Sequence, residues 1–189
     1  MDQNISFLFF FIFLFFSCNN ESSIKENNNT SNNSSTVEIY LLNSLNDSRG
    51  YCLDILGYKD DANVSKGLQT HSCYSYQGQI SIDQGFDLSR ISQKEFYIPH
   101  FKVCMEAQKI QESSKIDLKE CDKNQNQKFI LQTNGQITPE SNLKLCLTAS
   151  KNFKEGGGGN PVHLIRDLSL ETCDENLSSY QKWGTRKSN

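Results

Sequence analysis

The sequence predicts an all-β domain built from one short unit used three times. Three observations carry this. Six of the seven cysteines fall in order into three pairs, Cys52 with Cys73, Cys104 with Cys121 and Cys146 with Cys173. Each pair is followed by a Gln-x-aromatic triplet: Gln84-Gly85-Phe86, Gln127-Lys128-Phe129 and Gln181-Lys182-Trp183. Apolar and polar residues alternate over short runs split by Asn, Gly and Asp, which is the period of strands and not of helices. A recurrence of this kind marks one structural unit that buries its apolar face against its copies.

The N-terminus stands apart. Residues 5–16 are apolar except for Ser6. That is about half of the roughly 20 residues a spanning helix needs, and at the start of a chain it reads as the apolar part of a secretory signal. We assign residues 1–18 to the signal. Residues 19–36 are rich in Asn and Ser and nearly devoid of apolar side chains. Such a stretch buries too little surface to offset its ordering entropy and reads as a disordered tether. Residues 37–187 remain as one domain, large enough for a single core.

Phe16-Ser17-Cys18, at the end of the apolar run, resembles the end of a bacterial lipoprotein signal. In that family the cysteine is lipidated and becomes the mature N-terminus. Phe15 and Phe16 depart from the usual pattern, and residues 1–4 carry no Lys or Arg. Cysteine parity favours lipid at Cys18, because six cysteines then remain for pairing. The resemblance implies an exported protein anchored in a membrane through Cys18, at the periplasmic or outer cell surface. An ordinary secretory signal and a soluble secreted product is the other reading.

Composition excludes several classes. A net charge of −3 gives no reason to expect a nucleic-acid partner. An even cysteine set in an exported chain reads as a disulfide framework. The close pairs of a zinc site, Cys-x-x-Cys, do not occur, and neither a metal nor another cofactor is expected. His71, His100 and His163 are far apart in sequence. No His-Glu-x-x-His or Gly-x-Ser-x-Gly motif is present, so catalysis is not expected.

The elements follow in order. Repeat one spans about residues 39–98, repeat two about 100–139 and repeat three about 143–185. Val37, Ile39 and Leu41 face one way, with Glu38 and Tyr40 the other. Residues 87–94 suit a short helical turn. Phe129, Leu131 and Thr133 alternate with Ile130 and Gln132, and Asn134-Gly135 predicts a hairpin before Ile137. Lys144, Cys146 and Thr148 alternate with Leu145 and Leu147. The run Gly156-Gly157-Gly158-Gly159 is followed by Asn160-Pro161, not by the Gly-Lys-Ser/Thr of a phosphate loop, and reads as an exposed flexible loop.

The ordered recurrence of Cys-Leu-Asp or its variant, a second Cys and Gln-x-Phe/Trp resembles the ricin B-chain type β-trefoil lectins over about residues 37–183. The resemblance implies a six-stranded barrel capped by three hairpins, with three repeats of about four short strands and pseudo-threefold symmetry. It implies disulfides Cys52–Cys73, Cys104–Cys121 and Cys146–Cys173, and core positions for Phe86, Phe129 and Trp183 with the partner glutamines Gln84, Gln127 and Gln181.

It also implies one shallow sugar site per repeat. A carboxylate two residues after the first Cys accepts hydroxyls with charge assistance, and a ring two residues before the second Cys meets the apolar sugar face. Repeat one supplies Asp54 as carboxylate, Gln69 as polar wall, His71 as ring and Asp83-Gln84 as polar pair. In repeat two Glu106 replaces the Asp and Lys119 the ring. In repeat three Thr148 and Glu171 stand there, so repeats two and three read as structural. The expectation is a monomeric carbohydrate-binding lipoprotein with glycan partners and its site in repeat one. A trefoil that contacts a protein, or one with a solely structural role in the envelope, is the alternative.

Overall fold

The computed structural model describes residues 36–187. The predicted signal, Cys18 and the tether as far as residue 35 lie outside the described residues. Thr36, assigned to the tether, is already the first residue of a strand, where it pairs with Asp87.

Four strands recur three times. The first unit holds β1 (Thr36–Leu41), β2 (Tyr51–Ile55), β3 (Leu68–Ser72) and β4 (Phe86–Asp87). A single turn, α1 (Leu88–Ile91), follows, and the Asp87 side chain caps it by accepting from the Ser89 amide. The second unit holds β5 (Tyr97–Ile98), β6 (Val103–Ala107), β7 (Ser114–Glu120) and β8 (Phe129–Leu131). The third holds β9 (Ile137–Pro139), β10 (Leu145–Ala149), a short additional strand β11 (Lys154–Glu155), β12 (Leu164–Thr172), the turn α2 (Ser178–Gln181) and β13 (Trp183–Arg186).

The unit boundaries shift from those expected. β5 was placed at the end of repeat one, yet it pairs with β6 as β1 pairs with β2 and so opens the second unit. β9 likewise opens the third unit, because the bridge Gln136–Lys182 ties its start to the start of β13.

The first and last strands of the units close a ring. β13 pairs with β1, β1 with β4, and β8 with β9. β4 lies against β5, and the bridges Glu95–Lys128 and Gln136–Lys182 connect β5 to β8 and β9 to β13. Closure removes the open edges that a six-stranded sheet would otherwise present. The middle strands form three capping hairpins, β2–β3, β6–β7 and β10–β12. β12 also pairs with β3, β7 and β11, so one long strand ties the hairpins together.

Phe86, Phe129 and Trp183 plug the core, one from each unit, and are at most 1% exposed. Burying each contributes about 2–3 kcal/mol. The Trp183 Nε1 donates to the Leu147 carbonyl at 2.9 Å, which removes the cost of burying an indole N–H. The predicted hairpin joins β8 to β9. Gly135 takes φ +88°, a conformation that favours glycine, and its amide donates to the Gln132 carbonyl at 2.9 Å.

Glu38 and Tyr40 were expected to face opposite to Val37, Ile39 and Leu41, and on that opposite face Glu38 is nonetheless fully buried. Tyr40, on the same face, is only partly buried, and Glu38 is covered by the side chain of Arg186 on the neighbouring strand β13 and by Ser75. Arg186 from β13 and the Ser75 hydroxyl engage its carboxylate, as burial of a charge requires.

The three disulfides Cys52–Cys73, Cys104–Cys121 and Cys146–Cys173 each join the strands of one capping hairpin. Their sequence separations of 21, 17 and 27 correspond to about 3 kcal/mol each in the chain-entropy account. No helix among the described residues is long and apolar enough to cross a membrane.

Candidate functional site

Each triplet glutamine performs the same three tasks. Gln84 Nε2 donates to Asp54 Oδ1 at 3.0 Å and to the Ser72 carbonyl at 3.2 Å, while its Oε1 accepts the Tyr74 amide at 3.0 Å. Gln127 Nε2 donates to Glu106 Oε2 and to the Glu120 carbonyl, both at 2.8 Å, and its Oε1 accepts the Asp122 amide at 3.1 Å. Gln181 Nε2 donates to Thr148 Oγ1 at 2.9 Å and to the Thr172 carbonyl at 3.0 Å, and its Oε1 accepts the Asp174 amide at 3.0 Å. In every unit the glutamine bolts the end of the second strand to the chain around the second cysteine.

This changes the reading of repeat one. Asp54, Asp83 and Gln84 were expected to contact a ligand, but all three are fully buried. Asp54 is occupied by Gln84 and by Gln69 Nε2, which donates to Oδ2 at 2.9 Å. Burial pushes its carboxyl well above the usual range, against the pull of the Gln69 and Gln84 amides and with the nearby Asp83 charge adding to the rise. Asp83 accepts the Lys59 amide at 3.0 Å and the Ser81 hydroxyl, and so fixes the loop after β2. These groups form a polar layer beneath the site.

Above that layer is a cavity of about 610 Å³ lined by Gln69, His71, Tyr58, Tyr74, Tyr76, Gln77 and His163, with Leu56 and Ile165. Gln69 and His71 are therefore the two sequence-predicted residues that reach it. Gln69 turns its Nε2 down to Asp54, which leaves its carbonyl oxygen for the cavity side. His71 Nδ1 lies 2.9 Å from the Ser72 carbonyl. An imidazole held this way donates through Nδ1 and carries its lone pair on Nε2.

Around His71 the structure assembles rings that sequence reasoning missed. The Tyr74 and His163 rings each lie 5.0 Å from His71, and Tyr58 meets Tyr74 edge-on at 5.7 Å. The Tyr76 hydroxyl is 3.2 Å from His163 Nε2. Tyr58 and Tyr76 form the open rim, about half exposed. The cluster Tyr74-Ser75-Tyr76 directly after Cys73 was the available signal, but the motif places its ring two residues before that cysteine.

Two histidines far apart in sequence thus share one wall. His163 comes from the third unit, because β12 pairs with β3 and sets Ile165 opposite His71. The glycine run was expected to be a loose loop. It is exposed, yet it is held as a strap beside the cavity. The Gly156 amide donates to the His163 carbonyl at 2.7 Å and the His163 amide to the Gly158 carbonyl at 3.1 Å. Arg49 latches the strap to the first unit by donating to the carbonyls of Pro161 and Val162 at 2.8 and 2.7 Å. Gly157, Gly158 and Gly159 line the cavity.

The lining carries no carboxylate, lysine or arginine. Burial lowers the His71 imidazole, and the neighbouring His163 lowers it further against the Ser72 carbonyl. Burial and the Arg49 charge lower His163. Burial raises the Tyr74 phenol. At neutral pH the walls therefore offer uncharged rings, amides and hydroxyls, a combination that stacks on C–H faces and pairs with neutral hydroxyl groups.

The other two units differ at the same positions. Glu106 is half-buried and also takes Asn124 Nδ2 at 2.7 Å, and Lys119 is exposed. Around Thr148 a cavity of about 450 Å³ is lined by Ser169, Glu171 and Thr172 without an aromatic ring. The one cluster with metal-ligand spacing among the described residues, Glu38 with Cys52 and Cys73, has both sulfurs committed to a disulfide.

Comparison with known proteins agrees with this architecture. The profile of the ricin-type β-trefoil lectin domain matches residues 42–183. No curated protein matches at a significant level. Among solved structures, the earthworm lectin C-terminal domain, a mutant in complex with 6'-sialyllactose, has a TM-score of 0.53 at 18% identity, covering 80% of this chain and 98% of its own. The β-trefoil lectin of the Vibrio vulnificus hemolysin/cytolysin, with N-acetyl-D-lactosamine bound, has a TM-score of 0.50 at 18% identity, covering 82% and 96%. A non-toxic homologue of type II RIPs from Momordica charantia (bitter gourd), in complex with α-methyl-D-galactoside, has a TM-score of 0.53 at 16% identity, covering 79% of this chain and 47% of that one. At such identities these three establish a shared fold. The profile match spans well over half of the sequence and all three units, and by it the chain belongs to the ricin-type β-trefoil lectin family.

Proposed function

We propose that the protein is a lectin that holds a glycan in the cavity of its first unit. The observation that carries this reading is the ring-lined cavity of about 610 Å³ above the Asp54–Gln69–Gln84 layer, at the place where the family's motif in repeat one directs a sugar. Tyr58 and Tyr76 stack on the sugar, and Gln69 and His71 receive its hydroxyls. Asp54 acts from below, by holding Gln69 in place. The structurally similar proteins crystallised with sugars support the reading. The role is recognition and not catalysis.

We further read the protein as exported, because three disulfides persist in oxidising compartments. The Cys18 lipid anchor belongs to the same reading. One shallow site binds weakly, and an array of monomers tethered in a membrane multiplies it through avidity.

The test is a glycan array probed with the protein displayed multivalently, beside its Tyr76→Ala variant. Tyr76 is an exposed rim residue, so its loss leaves the core intact. Binding to a defined set of glycans that drops in the variant is the expected result. No binding by either form refutes the lectin reading and favours a trefoil that contacts a protein. The second reading draws on Lys119 and Glu171, which stand where units two and three would need rings.

A further inference from the structure

The cavity of the first unit is not made by the first unit alone. His163 and the strap at residues 156–159 come from the third unit, about 90 positions further along the chain. Nothing in the sequence of either repeat marks this pairing. It follows from β12, whose Ile165 lies opposite His71.

The strap is held from three sides. β11 pairs with β12 through Lys154–Ile165 and Glu155–Leu164. The Gly156–His163 and His163–Gly158 backbone bonds close its turn. Arg49 fixes its far end to the first unit. Such a strap serves as a wall.

Its glycines divide into two kinds. At Gly156 an added Cβ would stand 3.2–3.3 Å from Ile165, the His163 carbonyl and His71 Nε2, so a side chain there would crowd the histidine. At Gly159 an added Cβ would fall 2.8–2.9 Å from Pro161 and His163. At Gly157 it would meet nothing within 4 Å, and the backbone there is not in the left-handed region. The fold therefore tolerates a side chain at Gly157, which is itself one of the residues that line the cavity.

Resting on the lectin reading above, we infer that the glycine strap of the third unit is the specificity-determining wall of the first unit's site, and that it presses an uncharged sugar unit against the tyrosine rim. The strap offers peptide groups and no side chains, which suits a flat ring bearing hydroxyl or acetamido groups. Charge is refused on the same grounds. An acidic sugar would lose water around its carboxylate and find no cation among the described lining residues, the Lys59 ammonium standing outside it, 4.9 Å from the Tyr58 ring. The nearby Arg49 is already engaged by Asp47 and by the Pro161 and Val162 carbonyls.

The experiment compares the full protein with Gly157→Leu and Tyr76→Ala on an array that holds matched neutral and sialylated glycans, with N-acetyllactosamine and 6'-sialyllactose as the soluble competitors. The parent is expected to bind neutral glycans and to be inhibited by N-acetyllactosamine at least about tenfold better than by 6'-sialyllactose. Gly157→Leu is expected to unfold at the temperature of the parent and to bind at least about tenfold more weakly. If Tyr76→Ala loses binding while Gly157→Leu keeps it, the site is in the first unit but the strap is not its wall, and the inference falls alone. Equal binding of the sialylated partners overturns the charge assignment. No binding by the parent overturns the inference together with the lectin reading.

Discussion

Replacing Gln84 with leucine should unfold the domain more readily than the same change at Gln127. Leucine is of similar size, so the change removes hydrogen bonds and leaves little cavity. In the parent, Gln84 serves three buried groups: Asp54 Oδ1, the Ser72 carbonyl and the Tyr74 amide. A buried polar group left without its partner costs about 1–3 kcal/mol. Gln69 still donates to the other oxygen of Asp54, which tempers that part. The total comes to about 3–5 kcal/mol, a large share of the roughly 5–15 kcal/mol that holds a domain together. At about 2–4 °C per kcal/mol for a domain of this size, the melting temperature falls by about 10 °C. Gln127→Leu should cost less, about 1–3 kcal/mol, because Glu106 is only half-buried and keeps Asn124. The assay is urea unfolding of the disulfide-intact proteins, with the midpoint and slope compared across the three glutamine variants. A loss below about 1 kcal/mol at Gln84, or a larger loss at Gln127 than at Gln84, would refute the idea that this glutamine is a strut.

Two further predictions concern charge and covalent closure. His71 and His163 both sit below the usual 6.5, so neutral imidazoles line the cavity at pH 7. A lowered histidine stabilises the folded state above its unfolded pKa, and that stability is lost as pH falls through the folded value. Glycan binding should be level from about pH 8 to 7 and decline only as pH falls below the usual imidazole range, as cations form on rings 5.0 Å apart. His71→Gln should flatten the profile, and an unchanged decline in that variant would assign the titration elsewhere. Removing the Cys146–Cys173 bridge by a double Ser substitution opens the 27-residue separation and should cost about 3 kcal/mol in the urea midpoint. A cost below about 1 kcal/mol would mean that the β10–β12 hairpin is held by its backbone pairing alone.

Much of the fold was legible because its signals are local and repeat. The cysteine spacing, the three triplets and the Asn134-Gly135 turn each announce themselves within a few residues. The hidden parts depend on which strand lies beside which. Glu38 reads as an outward residue until β13 covers it with Arg186. The site was half legible. Asp54, Gln69 and His71 stand at the offsets that the motif requires, but sequence does not show which of them faces a cavity. Burial separates them: Asp54 lies sealed below, while Gln69 and His71 reach the wall. Tyr58 and Tyr76 lie on loops whose course is set by Asp83 and by the 3-10 turn at Ser75–Gln77, and no periodicity reports that course. The convergence of His71 with His163 is a matter of β12 register alone.

The reach of β12 sets an order of events for the chain as it folds. The N-terminal hairpin can form its disulfide early, since its cysteines are only 21 residues apart. The cavity beside it stays unfinished until residues 156–166 arrive and dock beside β3. Long-range pairing of this sort is slow compared with hairpin closure. A nascent or truncated chain that has lost its last third would therefore display rings and a disulfide yet lack a finished surface. By the same reasoning the first unit, taken alone, lacks the wall that His163 and the glycines of the third unit supply to its cavity.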